Sequence, residues 1–532
     1  MMFRYPPYEA QYHETFPAFL ESLKARFGRG NALTAYSRRG EPATLTYDEF
    51  YDAVRRRADE LAARGLDGRH VAIVGENSID WVVLFFACEL RGAVAVCIDI
   101  EQPDDTIRQM IRRADAAAAY CAAVYRPIAA PLEAEGVAIY PLRPDGASYP
   151  PAPEVSVAPD TTAAIFYTSG TTDAAKPVMH AQRALLYNAA SAITLIHADQ
   201  RVFTGLPLFH TYGLTCAILG NMVHGAELII NGDLKTMLRD MKLANAASMA
   251  VVPLMLETMH RQIMAAADAS GRGKTVRRLL TLNHALMRLG LGRPIAPLVR
   301  AKEEALGAFH FAVCGGAHIA PEILEDLYAF GILILQGYGI TECAPLVSVN
   351  RNRRFRTDSV GFVLPDTEVK LVDGEIWVRG VSVMQGYYRD EALTAEAMED
   401  GWFKTGDLGR MDRRGHLYIT GRRKNLIVFK NGKKISPEKI ELILGEIPLV
   451  RDVVVYGATN GSAADDVKLA ASIYPDPVLS AGISSYELLE QLQEEIDRVN
   501  STLPTYQQIQ MLTVREREFD KTSSRKIKRH LV

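Results

Sequence analysis

Hydroxyl side chains, a glycine and one lysine are concentrated in the stretch IFYTSGTTDAAKPVMH at 165–180, at the end of a predicted buried strand. Hydroxyls, backbone N–H groups and an ammonium are the donors that a polyphosphate needs. The loop is not of the Walker A type, because the second glycine before the lysine is absent. Taken alone, such a loop is more often a surface turn. The candidate phosphate donors are Thr168, Ser169, Gly170, Thr171, Thr172 and Lys176.

Further polar motifs follow in order along the chain. They are QGYGITE at 336–342, WFKTGD at 402–407, YITGR at 418–422 and KTSSRKIKR at 521–529. With the phosphate loop, this ordered set resembles the adenylate-forming superfamily of acyl-CoA synthetases, peptide-synthetase adenylation domains and luciferases, over about residues 42–532. The segments GYGITECAPLVSVN, ITGRRKNLIVFKNGKKISPEKIE and KTSSRKIKR are similar to those of bacterial long-chain fatty-acid–CoA ligases.

This resemblance implies a two-step reaction that consumes ATP and uses Mg²⁺. A carboxylic acid, expected to be a medium- or long-chain fatty acid, attacks the α-phosphate of ATP and gives acyl-AMP and pyrophosphate. The thiolate of CoA then displaces AMP and gives acyl-CoA. Two anions meet in the first step, so cations and oriented donors must offset their repulsion. We therefore expect an acid–thiol ligase that binds ATP, CoA and a small carboxylic acid.

By the same resemblance, three residues are expected to be catalytic. Glu342 is the expected Mg²⁺ ligand, since a hard cation that bridges phosphates needs carboxylate oxygens. Thr341 is expected to donate to the α-phosphate. Lys526 matches the lysine that bridges the substrate carboxylate and the α-phosphate, although composition alone would describe its surroundings as a basic tail.

The nucleotide is expected to contact residues from all the central motifs. Tyr338 is expected to stack on adenine, Asp407 to accept hydrogen bonds from the ribose hydroxyls, and Arg422 to hold ribose or phosphate through its planar donor fork. Without the resemblance, these residues would be a core aromatic, a turn residue and a solvated charge. The other expected ATP- and AMP-binding residues are Gly315, Gly316, Ala317, Gln336, Gly337 and Gly339.

The acyl and CoA ends of the site are implied by shorter segments. His210 in LPLFHTYGL is expected to line the acyl pocket rather than to act as a general base, and Gly337 is expected to line the acyl channel. Lys424 occupies the hinge position about which the C-terminal domain of this family rotates between the two half-reactions. Lys430 and Gly432 are expected to approach the pantetheine of CoA after that rotation.

Three positions of the phosphate loop depart from the family pattern. Asp173 and Pro177 stand where glycine is usual, and Ala175 stands where proline is usual. Asp tolerates left-handed backbone, so the turn is expected to survive with the carboxylate pointing away from the triphosphate. The departures motivate one alternative, a catalytically weakened acyl- or nucleotide-binding homologue. An acyl–acyl-carrier-protein ligase, an aryl-CoA ligase and a luciferase-like oxidase are the others.

Hydrophobic periodicity predicts the elements that must position these residues. A helix at 46–66, a strand at 71–75, a helix at 79–91 and a strand at 93–100 indicate βαβ units and a parallel sheet. From about residue 358, short strands between Gly and Asp turns are typical of a small antiparallel or barrel-like unit.

The last hundred residues predict a separate unit. Strands at 453–457 and 467–474 and a helix at 486–499 indicate a small α+β domain. The expected buried face of that helix consists of Leu488, Leu489, Leu492, Ile496 and Val499. We therefore expect an α/β protein with a large multi-subdomain N-terminal domain, built of βαβ-type sheets and a small β-barrel, and a small mobile α+β C-terminal cap. The expected boundaries are 1–424 for the AMP-binding N-terminal domain and 425–532 for the cap.

Charge and cysteine usage exclude several classes of protein. The 60 Lys and Arg and 63 Asp and Glu give a net charge of −3, which argues against a dedicated nucleic-acid binder. The six cysteines lack CxxC spacing, so neither a disulfide framework nor a zinc–cysteine site is expected. No apolar run reaches the length of a membrane span and no export signal is visible, so we expect a cytoplasmic protein. The oligomeric state is not predicted by the sequence.

The near-neutral net charge conceals one strongly basic segment. Residues 272–302 contain eight Lys or Arg and no acid, with leucines interleaved. A basic amphipathic segment predicts contact with an anionic membrane, here the inner face. An ordinary solvated helix pair is an equally favoured alternative.

Overall fold

The computed structural model describes residues 7–168, 175–197, 199–289, 291–317, 319–429, 434–459, 467–521 and 527–532. The elements up to residue 141 are α1 (Phe16–Phe27), β1 (Asn31–Tyr36), β2 (Pro42–Thr46), α2 (Tyr47–Ala63), β3 (His70–Val74), α3 (Ile79–Leu90), β4 (Val94–Cys97), α4 (Asp104–Arg113), β5 (Ala118–Cys121), α5 (Arg126–Ala129) and β6 (Ala138–Pro141).

The second stretch carries most of the predicted site. Its elements are β7 (Thr162–Tyr167), β8 (Pro177–Ala181), α6 (Gln182–Leu195), β9 (Arg201–Thr204), a π-helix (Tyr212–Leu219), α7 (Gly220–Val223), β10 (Glu227–Ile230), α8 (Met237–Leu243), β11 (Ser248–Val251), α9 (Pro253–Ala269), α10 (Gly273–Arg288), α11 (Ala296–Leu306), β12 (Phe311–Cys314), α12 (Pro321–Ala329), β13 (Leu333–Gly339) and β14 (Leu346–Val349).

The remaining elements form a strand-rich unit and the C-terminal cap. They are β15 (Phe362–Val363), β16 (Thr367–Val372), β17 (Glu375–Gly380), β18 (Gly386–Tyr387), α13 (Glu391–Ala397), β19 (Met398–Glu399), β20 (Trp402–Met411), β21 (Leu417–Arg422), β22 (Ile427–Val428), β23 (Lys434–Ile435), α14 (Pro437–Gly445), β24 (Val450–Thr459), β25 (Val467–Pro475), α15 (Ser485–Thr502) and β26 (Met511–Val514).

Two large sheets dominate the N-terminal part. One has the order β18-β8-β7-β4-β3-β5-β6, and the other has the order β15-β14-β13-β12-β11-β9-β10-β1-β2. In the first sheet the strands from β6 to β7 are mutually parallel, which confirms the predicted βαβ units. At its far edge β8 and β18 are antiparallel to their neighbours. The strand predicted at 93–100 is shorter than expected, since β4 covers Val94–Cys97.

The strand-rich unit predicted from residue 358 is a five-stranded antiparallel sheet. Its order is β16-β17-β20-β19, and β21 pairs with the long strand β20. The short strand β18 lies between β17 and β19 in the sequence, yet it pairs with β8 of the seven-stranded sheet. This exchange of one strand brings Tyr387 beside Lys176, which directly precedes β8.

The C-terminal part is a small α+β unit, as expected from the sequence. It contains the sheet β24-β25-β26, the hairpin β22-β23 and the helices α14 and α15. Helix α15 buries Leu488, Leu492 and Ile496. The prediction for Leu489 was wrong: its side chain is 43% exposed, because at 100° per residue it lies at the edge of the apolar stripe. The mixed α/β class is confirmed, whereas the boundary between 424 and 425 stays a proposal.

The six cysteines are reduced, and all but the partly buried Cys216 are buried. Burial raises the pKa of Cys121, Cys216 and Cys314 to about 12, so these thiols are protonated at neutral pH. Buried, protonated thiols of this kind act as small apolar core residues.

The basic segment 272–302 is folded into α10 and most of α11. The absence of acids within the segment is misleading, because acids from flanking residues pair with its cations: Arg272 binds Glu304, and Arg277 binds Asp268 at 2.7 Å. Lys302 is buried. The basic residues that remain exposed include Lys274, Arg278, Arg293 and Arg300.

Exposed leucines accompany these cations. Leu282 and Leu289 are 54% and 73% exposed, and helical spacing places them on the same stripe of α10 as Lys274 and Arg278. Across the described parts of the chain, no helix has the length and apolarity that crossing a membrane would require.

Candidate active site

The two ends of the phosphate loop are joined by the hairpin of β7 and β8. The backbone N–H of Thr168 donates to the carbonyl of Lys176 at 3.1 Å. The N–H of Lys176 donates in return to Thr168 Oγ1 at 3.2 Å. The loop is therefore closed at its base by the first and last of its predicted donors. Ser169, Gly170, Thr171, Thr172 and the unusual Asp173 lie outside the described residues.

The two other departures from the family pattern fit the local structure. The carbonyl of Ala175 accepts a hydrogen bond from Arg113 Nη1 at 3.1 Å. Pro177 is the first residue of β8, where a missing N–H is tolerated. Its carbonyl still accepts from the N–H of Tyr388 at 2.8 Å.

The predicted catalytic residues Thr341 and Glu342 lie on a single 3₁₀ turn, Thr341–Cys343, after β13. The imidazole Nε2 of His180 donates to the carbonyl of Thr341 at 2.7 Å. The N–H of Met384 donates to the carbonyl of Glu342 at 2.8 Å. The turn is thus held by β8 and by the segment that leads into β18.

His180 is fully buried beneath this turn. Desolvation by burial lowers the pKa of its imidazole to about 4, so the ring is neutral at neutral pH. Because Nε2 carries the proton donated to Thr341, Nδ1 is unprotonated, and it has no partner among the residues whose placement is described.

The Glu342 carboxylate is held by a tyrosine on β18. The hydroxyl of Tyr387 donates to Glu342 Oε1 at 2.9 Å. The ammonium of Lys176 lies 5.2 Å from the centroid of the same ring. Burial and the charge of Glu342 raise the pKa of the Tyr387 hydroxyl, so it remains a donor. One side chain therefore links the phosphate-loop lysine to the predicted metal ligand.

Asp407 connects the other nucleotide motifs. Tyr338 donates its hydroxyl to Asp407 Oδ2 at 2.7 Å, and Arg422 Nε lies 2.9 Å from Asp407 Oδ1. The pairing follows from the β20–β21 register, in which residues 407 and 422 are partners. Three residues predicted separately for adenine, ribose and phosphate contacts therefore form one cluster, in which Tyr338 and Asp407 are buried and Arg422 is partly exposed.

The segment predicted to line adenine follows β12. Cys314 pairs with Gln336 across β12 and β13, so Gly315 begins beside the QGYGITE motif. Gly316 has a φ of +89°, which suits glycine, and both Gly316 and Ala317 are exposed. Exposed backbone at the ends of parallel strands is where ligands bind in open α/β sheets.

Close packing explains the glycines of β13. A Cβ at Gly337 would lie 3.2 Å from a backbone oxygen of β14, and a Cβ at Gly339 would lie 2.5 Å from the Pro345 carbonyl oxygen. Gln336 is fixed beside them by a 2.5 Å hydrogen bond from Nε2 to the carbonyl of Thr357. The close contact with β14 explains why position 337 is a glycine without any role in an acyl channel. The channel role stays a proposal.

His210 lies just before the π-helix, with its ring centroid 4.7 Å from that of Phe209. Two residues later, Tyr212 donates its hydroxyl to the carbonyl of Val313 at 2.8 Å, and a Cβ at Gly315 would lie 3.4 Å from the Tyr212 ring. The predicted acyl segment therefore contacts the strand that leads to the predicted adenine segment. π-Helices are rare and often occur at functional sites.

Lys424 lies in the single turn Arg423–Asn425 that follows β21. Burial lowers the pKa of its ammonium, and the charges of Arg422 and Lys176 lower it further, while Asp407 acts in the opposite direction. The predicted hinge residue therefore lies within electrostatic range of the phosphate-loop lysine and the Asp407–Arg422 pair.

Both sides of this turn are fixed by side chains. Arg423 Nη1 lies 2.6 Å from Glu375 Oε2 of β17, on the N-terminal side. Asn425 Nδ2 donates to Glu438 Oε1 of α14 at 2.5 Å, on the cap side. The predicted loop residues Lys430 and Gly432 and the predicted catalytic Lys526 lie outside the described residues.

The cap packs closely against β21 at one glycine. Gly421 has a φ of +150°, and a Cβ there would lie 2.0 Å from Ser436 Oγ. Ser436 Oγ in turn donates to Glu438 Oε2 at 2.5 Å. A residue with a side chain at 421 is incompatible with this cap position.

Three contacting residues had no prediction from the sequence. His180 and Tyr212 lie inside segments quoted above, at positions for which no role was expected, and Tyr387 lies outside all of those segments. An aromatic or His in an apolar strand is ordinarily a core residue, so composition gives no signal for them. The contact of Tyr387 with Glu342 arises from the pairing of β18 with β8, which the sequence does not predict.

Two family matches cover most of the chain. The AMP-binding enzyme family matches residues 23–388, and the AMP-binding enzyme C-terminal domain matches residues 424–532. The chain therefore belongs to the AMP-binding enzyme family. It is an adenylate-forming acid–thiol ligase, a class that uses ATP with Mg²⁺ and CoA.

Individual relatives agree with this class. An indoleacetate–CoA ligase of Aromatoleum aromaticum is 27% identical over 78% of this chain and 80% of its own length. A long-chain-fatty-acid–CoA ligase of Mycobacterium bovis is 28% identical over 78% of this chain and 75% of its own length. The solved structure of o-succinylbenzoate CoA synthetase from Bacillus subtilis, in complex with its acyl-adenylate intermediate, has a TM-score of 0.77 at 22% identity and covers 96% of this chain and 97% of that one. The structural likeness shows a shared fold.

The residues present fit a Mg²⁺ ion that is bound together with ATP. Glu342 Oε1 accepts from Tyr387, while Oε2 has no hydrogen bond within the described part of the chain. In that same part, no group of three or more His, Cys, Asp or Glu side chains could hold a metal ion alone. A single carboxylate that shares the ion with phosphate oxygens is the usual arrangement for Mg²⁺ in nucleotide sites.

Proposed function

We propose that this enzyme activates a medium- or long-chain fatty acid as its acyl-adenylate and transfers the acyl group to CoA. The observation that carries the proposal is the convergence of motifs that lie far apart in the sequence. Lys176 and Glu342 contact one tyrosine, and Lys176, Arg422 and Asp407 all act on the pKa of Lys424. The site therefore combines cations for a triphosphate, a carboxylate for Mg²⁺ and an acid–base pair for ribose.

Each proposed role follows from the chemistry of its side chain. Lys176 and Arg422 offset the charge of the phosphates, Thr341 donates to the α-phosphate, and Asp407 accepts from the ribose hydroxyls. Mg²⁺, when bound with ATP, withdraws charge from the phosphates and makes the α-phosphorus more electrophilic. Repulsion between the substrate carboxylate and the phosphates contributes to the barrier, and the cations and donors reduce it, whereas Asp407 positions the ribose.

Lys526 remains our proposal for the lysine that bridges the substrate carboxylate and the α-phosphate. Two of its basic neighbours are engaged elsewhere: Lys521 Nζ lies 2.9 Å from Asp452 Oδ2, and Arg529 binds Glu441. We expect Lys526→Ala to lose acyl-AMP formation by more than a hundredfold and to retain conversion of preformed acyl-AMP with CoA, since about 3 kcal/mol of charge stabilisation is lost in the first step alone. Normal ATP–pyrophosphate exchange by this variant would contradict the role.

The substrate class is tested by ATP–pyrophosphate exchange with a panel of fatty, aryl and amino acids. We expect exchange with saturated medium- or long-chain acids. CoA and a phosphopantetheinylated carrier protein should then be compared as acceptors of the acyl group, with release of AMP as the measurement. Absence of exchange with every acid would favour the weakened binding homologue that the loop departures motivate.

An aryl acid is the second candidate substrate. The relative from Aromatoleum aromaticum is named an indoleacetate–CoA ligase, and the structural neighbour from Bacillus subtilis acts on o-succinylbenzoate. Exchange with aryl acids at a kcat/KM above that of any fatty acid would replace the fatty-acid proposal.

We also propose a cytoplasmic enzyme that contacts the inner membrane face through α10. The stripe with Lys274, Arg278, Leu282 and Leu289 combines exposed cations with exposed apolar side chains, as interfacial helices do. Co-sedimentation with anionic vesicles tests this contact. The variant Lys274→Glu/Arg278→Glu should remain in the supernatant, and binding equal to that of the unmodified protein would rule the contact out.

A further inference from the structure

The exchange of β18 between sheets places a tyrosine between the two charged groups of the site. Tyr387 is paired with Val178 of β8, and Lys176 lies two residues before Val178 on the same strand connection. The backbone N–H of Tyr387 is further fixed by a 2.9 Å hydrogen bond to Thr394 Oγ1. The side chain is 5% exposed, so the ring has little room to move.

The two ends of this side chain contact groups of opposite charge. The ring face lies against the Lys176 ammonium, with the nitrogen 5.2 Å from the centroid. The hydroxyl donates to Glu342 Oε1 at 2.9 Å. Among the ion pairs formed by the described residues, none joins Lys176 to Glu342. The ring keeps the ammonium at cation–π distance while the hydroxyl occupies one carboxylate oxygen.

A direct ion pair between these groups would oppose the reaction. A Lys176–Glu342 pair would neutralise the lysine that phosphate needs and would occupy the carboxylate that Mg²⁺ needs. Partly buried ion pairs of this kind are costly to break, because both charges must be transferred to new partners. A neutral spacer with one donor holds both groups near the site without joining them.

We propose that Tyr387 is a positioning residue, which orients Glu342 toward Mg²⁺ through its hydroxyl and keeps Lys176 apart from that carboxylate through its ring. The inference rests on the proposed function, specifically on the role of Glu342 as metal ligand. It adds a residue of β18 to a site otherwise built from the phosphate loop, the turn after β13 and the β20–β21 pair.

The test is the coupling between Mg²⁺ and ATP in binding, measured without turnover. The dissociation constant of ATP is determined by calorimetry in EDTA and at saturating Mg²⁺, and the ratio of the two constants is the coupling. A ratio measured on one preparation is insensitive to a fraction of inactive protein. We expect Tyr387→Phe to reduce the coupling about tenfold, because one hydrogen bond to a charged group is lost. ATP affinity in EDTA should remain unchanged, since the ring is kept.

A second variant separates the ring from the hydroxyl. Tyr387→Leu removes both, so Lys176 and Glu342 can pair directly, and we expect weaker ATP binding in EDTA as well as reduced coupling. Tyr388→Phe is the matched control, because the hydroxyl of this neighbouring tyrosine donates to Asp115 Oδ2 at 2.7 Å, away from Glu342. This control should keep the coupling of the unmodified enzyme.

Glu342→Gln distinguishes the failure of this inference from failure of the proposed function. If Glu342→Gln loses the coupling and Tyr387→Phe keeps it, the positioning role is overturned and the metal role stands. If Glu342→Gln also keeps the coupling, the proposed metal role is wrong and the inference falls with it. If the inference is right, the double variant Tyr387→Phe/Glu342→Gln should lose no more of the Mg²⁺–ATP coupling than Glu342→Gln alone.

Discussion

At the scale of single residues, the neutral imidazole of His180 sets a pH dependence for stability. In the unfolded chain an ordinary histidine titrates near 6.5, whereas burial lowers the pKa of His180 to about 4 in the folded protein. Between these values the unfolded state binds one more proton, so the free energy of unfolding falls as pH falls from 6.5 to 4. Over this pH range, the difference between the two pKa values lowers the free energy of unfolding by on the order of 3 kcal/mol.

The variant His180→Gln tests this assignment. The glutamine Nε2 can donate to the Thr341 carbonyl as the imidazole does, but it does not titrate. We expect the variant to lose less stability than the unmodified enzyme between pH 7 and pH 4.5, measured by urea unfolding at each pH. His310→Gln, at an exposed position, is the control and should keep the original slope. Equal slopes for all three proteins would show that His180 titrates normally.

The resemblance to the adenylate-forming superfamily, and not residue identity, singled out Thr341, Glu342, Asp407 and Arg422. Their roles in the reaction stay predictions. Their mutual contacts could not be predicted, since they depend on strand register. The hydrogen bond that the Tyr338 hydroxyl donates to Asp407 illustrates this, because the tyrosine was expected to contact adenine through its ring.

At the scale of elements, periodicity predicted helices and parallel strands well where patterns were long. It mispredicted burial at the edge of an apolar stripe, as at Leu489. It also did not predict which acids pair with the basic segment 272–302. The acids that pair with Arg272 and Arg277 come from outside that segment. The pairing of β18 with β8 was invisible, because a two-residue strand carries no periodic pattern.

The contact between β21 and the cap depends on one glycine. Gly421→Ala places a methyl group 2.0 Å from Ser436 Oγ, so the cap must shift from its observed position. We expect the variant to slow the half-reaction that uses this position at least tenfold and to leave the other nearly unchanged. The measurements are single-turnover formation of acyl-AMP and single-turnover conversion of acyl-AMP with CoA.

The double variant Gly421→Ala/Ser436→Gly provides the control for this clash. Removing the serine side chain opens the space that the new methyl group needs, so part of the lost rate should return. Recovery should be incomplete, because a φ of +150° strains any residue other than glycine. If Gly421→Ala slows both half-reactions equally, the effect is one of general stability rather than of cap position.

At the scale of the whole molecule, the turn Arg423–Asn425 is the proposed hinge between the N-terminal domain and the cap. Lys424→Pro disfavours the helical backbone of Arg423, since a residue before proline is restricted to extended conformations. The Arg423–Glu375 pair on one side of the turn should therefore be lost. We expect this variant to change the ratio of the two half-reaction rates at least tenfold, whereas Lys424→Ala should change it much less. Unchanged rates for both variants would place the hinge elsewhere.

The strand exchange of β18 has a consequence for how this protein can be divided. The change near residue 358 to short strands between Gly and Asp turns suggests a domain boundary there, between the parallel sheets and the strand-rich unit. A fragment ending there would lack β18 and would expose the edge of β8, whose unpaired backbone groups invite association with other chains. A first unit produced on its own must therefore run to Tyr388, and a fragment that stops upstream of β18 should be recovered mainly as aggregates. A chimera joined upstream of β18 takes this strand from its second parent, so that strand must pair with the β8 edge of the first.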